Sequence, residues 1–254
     1  WKVPSMFSFF AGDKLVITLG PLFSIPLAYV FSVIWAPVEL GLDNFATWLG
    51  AMGIIGIFIF GFLNRLLIPT GLHHVLNAYV FYELGTFTTA SGTVVTGEMS
   101  RFLAGDPAAG SFLSMFYVIM IFGIPGAAMA MYKTAYKENK EEVKGLANSG
   151  ILTSLFAGIT EPIEFSFMFA SPLLYFIHSV FTGLAGAILY IFHSRIGFAF
   201  GFNIIDLVLN WKMGNNVIYV IPVGILFFCL YYFTFKLFII KKDIKTPGRI
   251  DSAN

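Results

Sequence analysis

The chain has 254 residues, of which 57% are hydrophobic, 18% aromatic and only 11% charged, with a net charge of +1. Soluble domains carry roughly 25% charged residues, so the composition excludes a soluble protein, and the near-zero net charge gives no case for a nucleic-acid partner. The apolar runs are continuous rather than alternating, which excludes a membrane β-barrel and leaves an all-α integral membrane protein.

The chain opens at Trp1, with no initiator methionine and no signal-peptide pattern, and is expected to start partway through a longer polypeptide. At roughly 20 residues per crossing, the length has room for about six to eight membrane segments. Five uncharged runs read as full spans: Leu15–Val38, Phe45–Leu63, Ser111–Tyr132, Phe165–Ser194 and Met213–Phe235. The first holds prolines at 21, 26 and 37, and the third is expected to be interrupted at Gly123-Ile124-Pro125-Gly126. The fourth, at 30 residues, is too long for one upright helix.

Three further apolar stretches are badly built for spanning. Leu66–Tyr82 holds Pro69, Gly71, two histidines and Asn77; Leu146–Phe169 holds Thr160-Glu161-Pro162 and Glu164; Ile196–Asn210 holds Asn203 and Asp206. Broken backbone at membrane depth survives only where protein or water satisfies its polar groups. Interrupted segments therefore point to a transport site. Residues 83–110 form a long polar connection, of the kind that is functional or mobile.

Seven charges lie in Lys133–Lys144 and seven more in Lys236–Asp251. The lysine-rich C-terminal cluster argues for a cytoplasmic C-terminus, and the first cluster leans the same way. Whether both fit depends on how many broken segments cross completely, which the residues leave open. Cys229, the single cysteine, lies in an apolar run and reads as a buried or lipid-facing side chain. No disulfide framework, metal or cofactor is expected.

The site candidates are charges and imidazoles at the breaks. Arg65 closes an apolar run, where it either snorkels to the headgroups or turns inward. His73 and His74 follow a Pro-Thr-Gly break, with Asn77 one turn later, and lack the partner spacing of a zinc site. They suit hydrogen bonding to an uncharged, polyhydroxylated ligand, since imidazole both donates and accepts. Glu161 and Glu164 stand three residues apart among Phe, Ile and Met, where carboxylates are costly unless they serve something. Pro162 is expected to interrupt the helix there. His178 and His193 read as packed or interhelical hydrogen-bonding groups, and Asp206 as lining either a cavity or an interface.

Several strings carry a resemblance: Gly71-Leu-His73-His74-Val-Leu-Asn77, Arg101-Phe-Leu-Ala-Gly-Asp-Pro107, Phe122-Gly-Ile-Pro-Gly-Ala-Ala128, Gly158-Ile-Thr-Glu-Pro-Ile-Glu-Phe-Ser-Phe-Met-Phe169 and Lys245-Thr-Pro-Gly-Arg249. In this order they resemble the membrane-embedded enzyme IIC of the bacterial phosphotransferase system, in its glucose superfamily. The resemblance implies a homodimer of membrane helices and re-entrant hairpins, in which one half makes the dimer contact and the other binds sugar and moves. This chain then corresponds to the C-terminal part. Residues 1–44 would be an amphipathic lead-in and the last interface helix, 45–240 the transport domain, and 241–254 a cytoplasmic tail starting the linker to IIB.

By the same resemblance the substrate is a glucose-type sugar or glucoside, with maltose slightly favoured by Thr70. The sugar-binding residues are Arg65, His73, His74, Asn77, Thr160, Glu161 and Glu164, with Glu161 catalytic beside the hydroxyl to be phosphorylated. The phosphoryl donor is a phosphocysteine on a IIB domain or subunit, charged by IIA, and that cysteine is not in this chain. The expected location is the bacterial inner membrane. The residues alone also fit a proton-coupled secondary sugar transporter, with Glu161 or Glu164 as the carrier, or a structural membrane subunit.

Overall fold

The computed structural model describes residues 13–249, so the first residues of the lead-in and the last five of the tail lie outside the described part. The chain divides into two compact units, Trp1–Phe45 and Ala46–Asn254. Helix α1, Asp13–Ala51, provides the first unit and takes in the first expected span. It keeps Pro21, Pro26 and Pro37 inside its length. Its side chains from Leu19 to Leu40 are exposed and mostly apolar.

Ile54–Leu66 forms α2, and His73–Tyr82 forms α3. The polar connection folds into a hairpin, β1 (Thr86–Thr88) against β2 (Val94–Thr96), followed by α4 (Glu98–Leu103). Ser114–Thr134 is one long helix of three parts: α5 (Ser114–Val118), a π turn (Ile119–Gly123) and α6 (Ile124–Thr134). Then come α7 (Lys140–Ala157), α8 (Glu161–Met168), α9 (Pro172–Ile191), α10 (Ile204–Leu209) and α11 (Val220–Lys241).

Four helices among the described residues are long and apolar enough to cross a membrane: Leu19–Ala51, Ser114–Thr134, Pro172–Ile191 and Val217–Lys241. The remaining expected span, Phe45–Leu63, is divided at Gly53 between the end of α1 and the 13-residue α2. The 30-residue run is divided as well. Met168 ends α8, and Ser171 caps α9 by accepting from the Leu174 N–H at 3.4 Å, with Pro172 in the first turn.

Gly-Ile-Pro-Gly does not interrupt its span. The π turn before Pro125 absorbs the proline, whose nitrogen has no hydrogen to give a regular turn. Its glycines serve packing instead. A Cβ on Gly126 would meet the Phe228 carbonyl at 2.6 Å, and one on Gly123 would meet the Tyr231 ring at 2.8 Å. Small residues bring α2 and α9 together in the same way, since a Cβ on Gly183 would lie 2.6 Å from the Phe58 carbonyl. Apolar driving force between helices is weak in lipid, and close backbone approach replaces it.

The two charge clusters share one end of the second unit. The chain after α11 folds back over the connection between α6 and α7. The Tyr136 N–H donates to the Gly248 carbonyl at 3.1 Å, and Arg249 Nη1 donates to the Thr134 carbonyl at 2.8 Å. Arg249 also pairs with Asp243 at 2.7 Å and lies 5.0 Å from the Tyr136 ring centre. Hydrogen bonds from Lys245 and Arg249 hold the Asp243 carboxyl below the usual carboxylate range. The two segments are thereby held together at one end of this unit.

Candidate functional site

Two helix breaks build the site. After α2, Pro69 sits in a short 3₁₀ turn and Gly71 takes a left-handed conformation at φ 75°, which glycine adopts without a Cβ clash. Thr70 is exposed there. Its hydroxyl donates to the Leu67 carbonyl at 2.8 Å and accepts from the Leu72 N–H at 3.3 Å, closing the turn that aims His73 inward.

At the second break Gly158 ends α7 at φ 68°. A Cβ there would crowd the Phe202 nitrogen at 3.2 Å. The Thr160 carbonyl then accepts from the N–H groups of Ile163 and Glu164 at 3.1 and 2.9 Å, starting α8. Pro162 lies in the first turn of α8, where a missing N–H costs nothing. It begins a helix rather than interrupting one, and Gly158 makes the break.

Between the breaks lies a buried polar cluster drawn from four helices. Arg65 of α2 is 3% exposed and Glu164 of α8 is fully buried. Arg65 Nη1 donates to Glu164 Oε1 at 3.0 Å, and the guanidinium lies 5.3 Å from the Phe116 ring centre. Arg65 therefore turns inward and does not snorkel. Tyr175 of α9 donates its phenol hydrogen to the Arg65 carbonyl. His178, also on α9, places Nε2 3.2 Å from Glu164 Oε1. That approach is short but misaligned, so Nε2 has no well-directed partner. On the other side of the ring, Nδ1 lies 2.7 Å from the Tyr231 hydroxyl of α11.

Much of this cluster's polar capacity is unused. Arg65 Nε and Nη2, Glu164 Oε2 and His73 Nδ1 are all buried without a hydrogen-bond partner. Buried polar atoms are nearly always paired, and those left over call for an explanation. His73 lies within electrostatic reach of Arg65, Glu161 and Glu164, so the two breaks converge on one region. Guanidinium donors, a carboxylate acceptor and an imidazole nitrogen in one buried place suit a ligand with several hydroxyl groups.

The other expected site residues fall around this centre. Thr160 is buried at the start of α8. Glu161 is half-buried, and its Oε2 accepts from the Thr160 N–H at 3.0 Å. His74 is exposed, with its ring 3.9 Å from that of His73. Asn77 is held by the side chain of Asn64 on α2, which donates to Asn77 Oδ1. Asn64, Tyr175 and Tyr231 were not legible as site residues. Each is one polar group in an apolar helix, and only packing shows where it points. His178 does make the interhelical hydrogen bond its type and setting implied.

Asp206 resolves differently. One carboxylate oxygen accepts from the N–H groups of Ala199, Phe200 and Gly201 at 2.9 to 3.0 Å, and the other accepts from Asn210 at 2.7 Å. It organises the turn into α10, and both of its oxygens are engaged there. Cys229 is exposed on apolar α11, which fits the lipid-facing reading.

Fold and site together define a multi-pass, all-α membrane protein with a buried polar centre at two helix breaks. The family described as Phosphotransferase system, EIIC matches residues 1–183, and this chain belongs to it. It is 42% identical over 256 residues to the N-acetylglucosamine-specific EIICBA component of Escherichia coli K12, a match covering all of this chain and 40% of that protein. It is 42% identical over 248 residues to the N-acetylglucosamine-specific EIIC component of Streptomyces coelicolor, covering 98% of this chain and 60% of the relative. The glucose-specific EIICBA component of Staphylococcus carnosus is 41% identical over 258 residues, 38% of its length. The chain thus spans roughly half the length of these relatives.

Proposed function

We propose that this chain is the sugar-translocating part of a phosphotransferase permease for a glucose-type sugar. The observation that carries the reading is the buried cluster, where donors on Arg65 and acceptors on Glu164 and His73 converge without partners. The names of the relatives point first to N-acetylglucosamine or glucose. The lean toward maltose rested on Thr70, and in the fold that hydroxyl closes an exposed turn. It gives no support for a disaccharide.

In this reading Arg65, His73, Asn77, Thr160, Glu161 and Glu164 bind the sugar hydroxyls, with His74 at the edge. Residues 45–240 are the transport domain, moving as a body against an interface half that includes 1–44, within a homodimer. Residues 241–254 lead toward IIB at a cytoplasmic C-terminus in the bacterial inner membrane. The phosphoryl group comes from a IIB phosphocysteine, loaded by IIA. The sugar hydroxyl oxygen forms the new P–O bond as the S–P bond breaks, and Glu161 accepts the hydroxyl proton. Positioning supplies most of the catalysis in such a transfer.

The test is a reconstituted membrane assay with IIA and IIB. Labelled N-acetylglucosamine, glucose and maltose compete for binding, and phosphorylation is followed in parallel. Glu161→Gln is expected to abolish binding or phosphorylation, and wild-type rates in that variant would remove its assigned role. Uptake driven by a pH gradient without a phosphoryl donor would replace this reading with a secondary transporter.

A further inference from the structure

We propose that His178 is a positioning residue for sugar binding. It fixes the rotation of the Glu164 carboxylate so that one oxygen stays with Arg65 and the other is presented to the sugar. The inference rests on the sugar-binding reading above and deepens it.

The need for such a residue follows from the geometry. The terminal torsion of a glutamate is broad, and Arg65 supplies one aligned hydrogen bond, to Oε1 at 3.0 Å. The Thr160 side chain also reaches this carboxylate, but it stands at the start of the same helix as Glu164, and the plane is still free to swing about the Arg65 contact. A second donor on the same oxygen, from another helix, would stop the swing. His178 Nε2 stands 3.2 Å from that oxygen. Oε2, the oxygen without a partner, would then be held in a fixed direction.

Glu164 and Tyr231 together decide which ring nitrogen carries the hydrogen. A neutral imidazole has one donor and one acceptor nitrogen. The Tyr231 hydroxyl lies 2.7 Å from Nδ1, and 3.3 Å from the His178 carbonyl. The Glu164 carboxylate can only accept, so the ring hydrogen belongs on the nitrogen that faces it, Nε2, and the Tyr231 hydroxyl donates to Nδ1. The hydrogen bond at one nitrogen thus sets the state of the other. Glu164 thus takes a bond from Arg65 and is faced by His178, which Tyr231 orients from α11.

The ring is also confined. Phe167 meets it edge-on at 5.5 Å between centroids, and Tyr175 lies at 6.0 Å. Nε2 is within hydrogen-bond distance of Oε1 and fails only in alignment. Hydrogen bonds in unliganded sites are often misaligned and tighten when substrate is present. The plain alternative is that His178 only fills space between α8, α9 and α11, in which case any side chain of similar volume would serve.

The experiment compares His178→Gln, His178→Leu and Tyr231→Phe in the full chain reconstituted in lipid vesicles. Dissociation constants for N-acetylglucosamine and glucose are measured by equilibrium binding, with unfolding temperature as the control. Leucine, which cannot donate, is expected to weaken binding about tenfold or more, whereas glutamine, which can donate to Oε1, stays within about threefold of wild type. Tyr231→Phe, which removes a hydrogen bond that helps to set the tautomer, is expected to fall between them. Equal affinity of the leucine and glutamine variants would overturn the assignment. If the leucine variant does not fold, Tyr231→Phe decides, and wild-type affinity there would overturn it too. Loss of all sugar binding in the wild-type chain overturns the sugar reading itself, and is distinct from a wild type that binds while the variants match it.

Discussion

Two arginine–carboxylate clusters sit in the same unit and differ in how they use their polar atoms. In the polar connection, Arg101 pairs with Asp106 at 2.6 Å and with Glu98 at 3.4 Å, and donates to the Leu84 carbonyl at 3.2 Å. Glu98 in turn accepts from the N–H groups of Gly110 and Phe112, and Asp106 from that of Ala108. In the membrane cluster, Arg65 gives one aligned side-chain hydrogen bond, and Nε, Nη2 and Glu164 Oε2 remain unmatched. The first cluster is complete and ties loops together. The second is incomplete, and unsatisfied buried groups are tolerated where function needs them.

The comparison is broken most severely at Arg101. Arg101→Leu leaves Glu98 and Asp106 buried without their cation, which is expected to cost about 3–5 kcal/mol. Thermal unfolding in detergent reads this, and the folded fraction should keep wild-type sugar affinity. A loss of affinity with unchanged unfolding would reverse the roles given to the two clusters. Next comes Glu164→Gln, which keeps an acceptor for Arg65 but removes the charge. Sugar affinity is expected to fall about 100-fold, roughly 2.7 kcal/mol, and stability falls as well, by up to about 3 kcal/mol, because Arg65 stays buried without its counter-charge. Equilibrium binding beside an unfolding curve separates the two effects.

The scaffold between the clusters gives a smaller effect. Gly183→Ala pushes a methyl group against the Phe58 carbonyl and is expected to destabilise by about 1–3 kcal/mol through overpacking. Unfolding within error of wild type would show that the α2–α9 seam is looser than the glycine implies. Thr70→Val removes the hydroxyl that closes its turn, yet the ratio of glucose to maltose affinity is expected to stay within about twofold, well under 1 kcal/mol. A changed ratio in a competition assay would bring Thr70 back as a specificity residue.

The smallest effect belongs to the tail. The folded pKa of Asp243 is depressed by Lys245 and Arg249, so its contribution is present above the unfolded value, near 3.9. It is lost as pH falls through the lower folded value. Limited proteolysis of the tail is expected to quicken below about pH 4, and cleavage that does not change with pH would show the pairs to be idle.

What could be read without coordinates was what local chemistry dictates. A composition with 11% charge requires a membrane, and proline, glycine and carboxylates inside apolar runs mark helix breaks. The convergence of Arg65, His73, Glu161 and Glu164 on one function came from motif resemblance. Tyr175, Tyr231 and Asn64 could not be found, because a lone polar group in an apolar helix looks the same whether it faces a partner or lipid. Gly-Ile-Pro-Gly was misread for a related reason. Its glycines answer to Tyr231 and Phe228, about a hundred residues away in sequence.

The sequence by itself determined the solvent this protein lives in, the family it resembles and the places where its helices stop. Those depend on transfer free energies and backbone preferences, which act residue by residue. The tertiary structure alone decided that Arg65 points inward, that Asp206 is spent on a turn, and that the two basic clusters are held together at one end. Each of those depends on which distant group supplies a hydrogen-bond partner, and a buried polar atom takes its meaning from that partner.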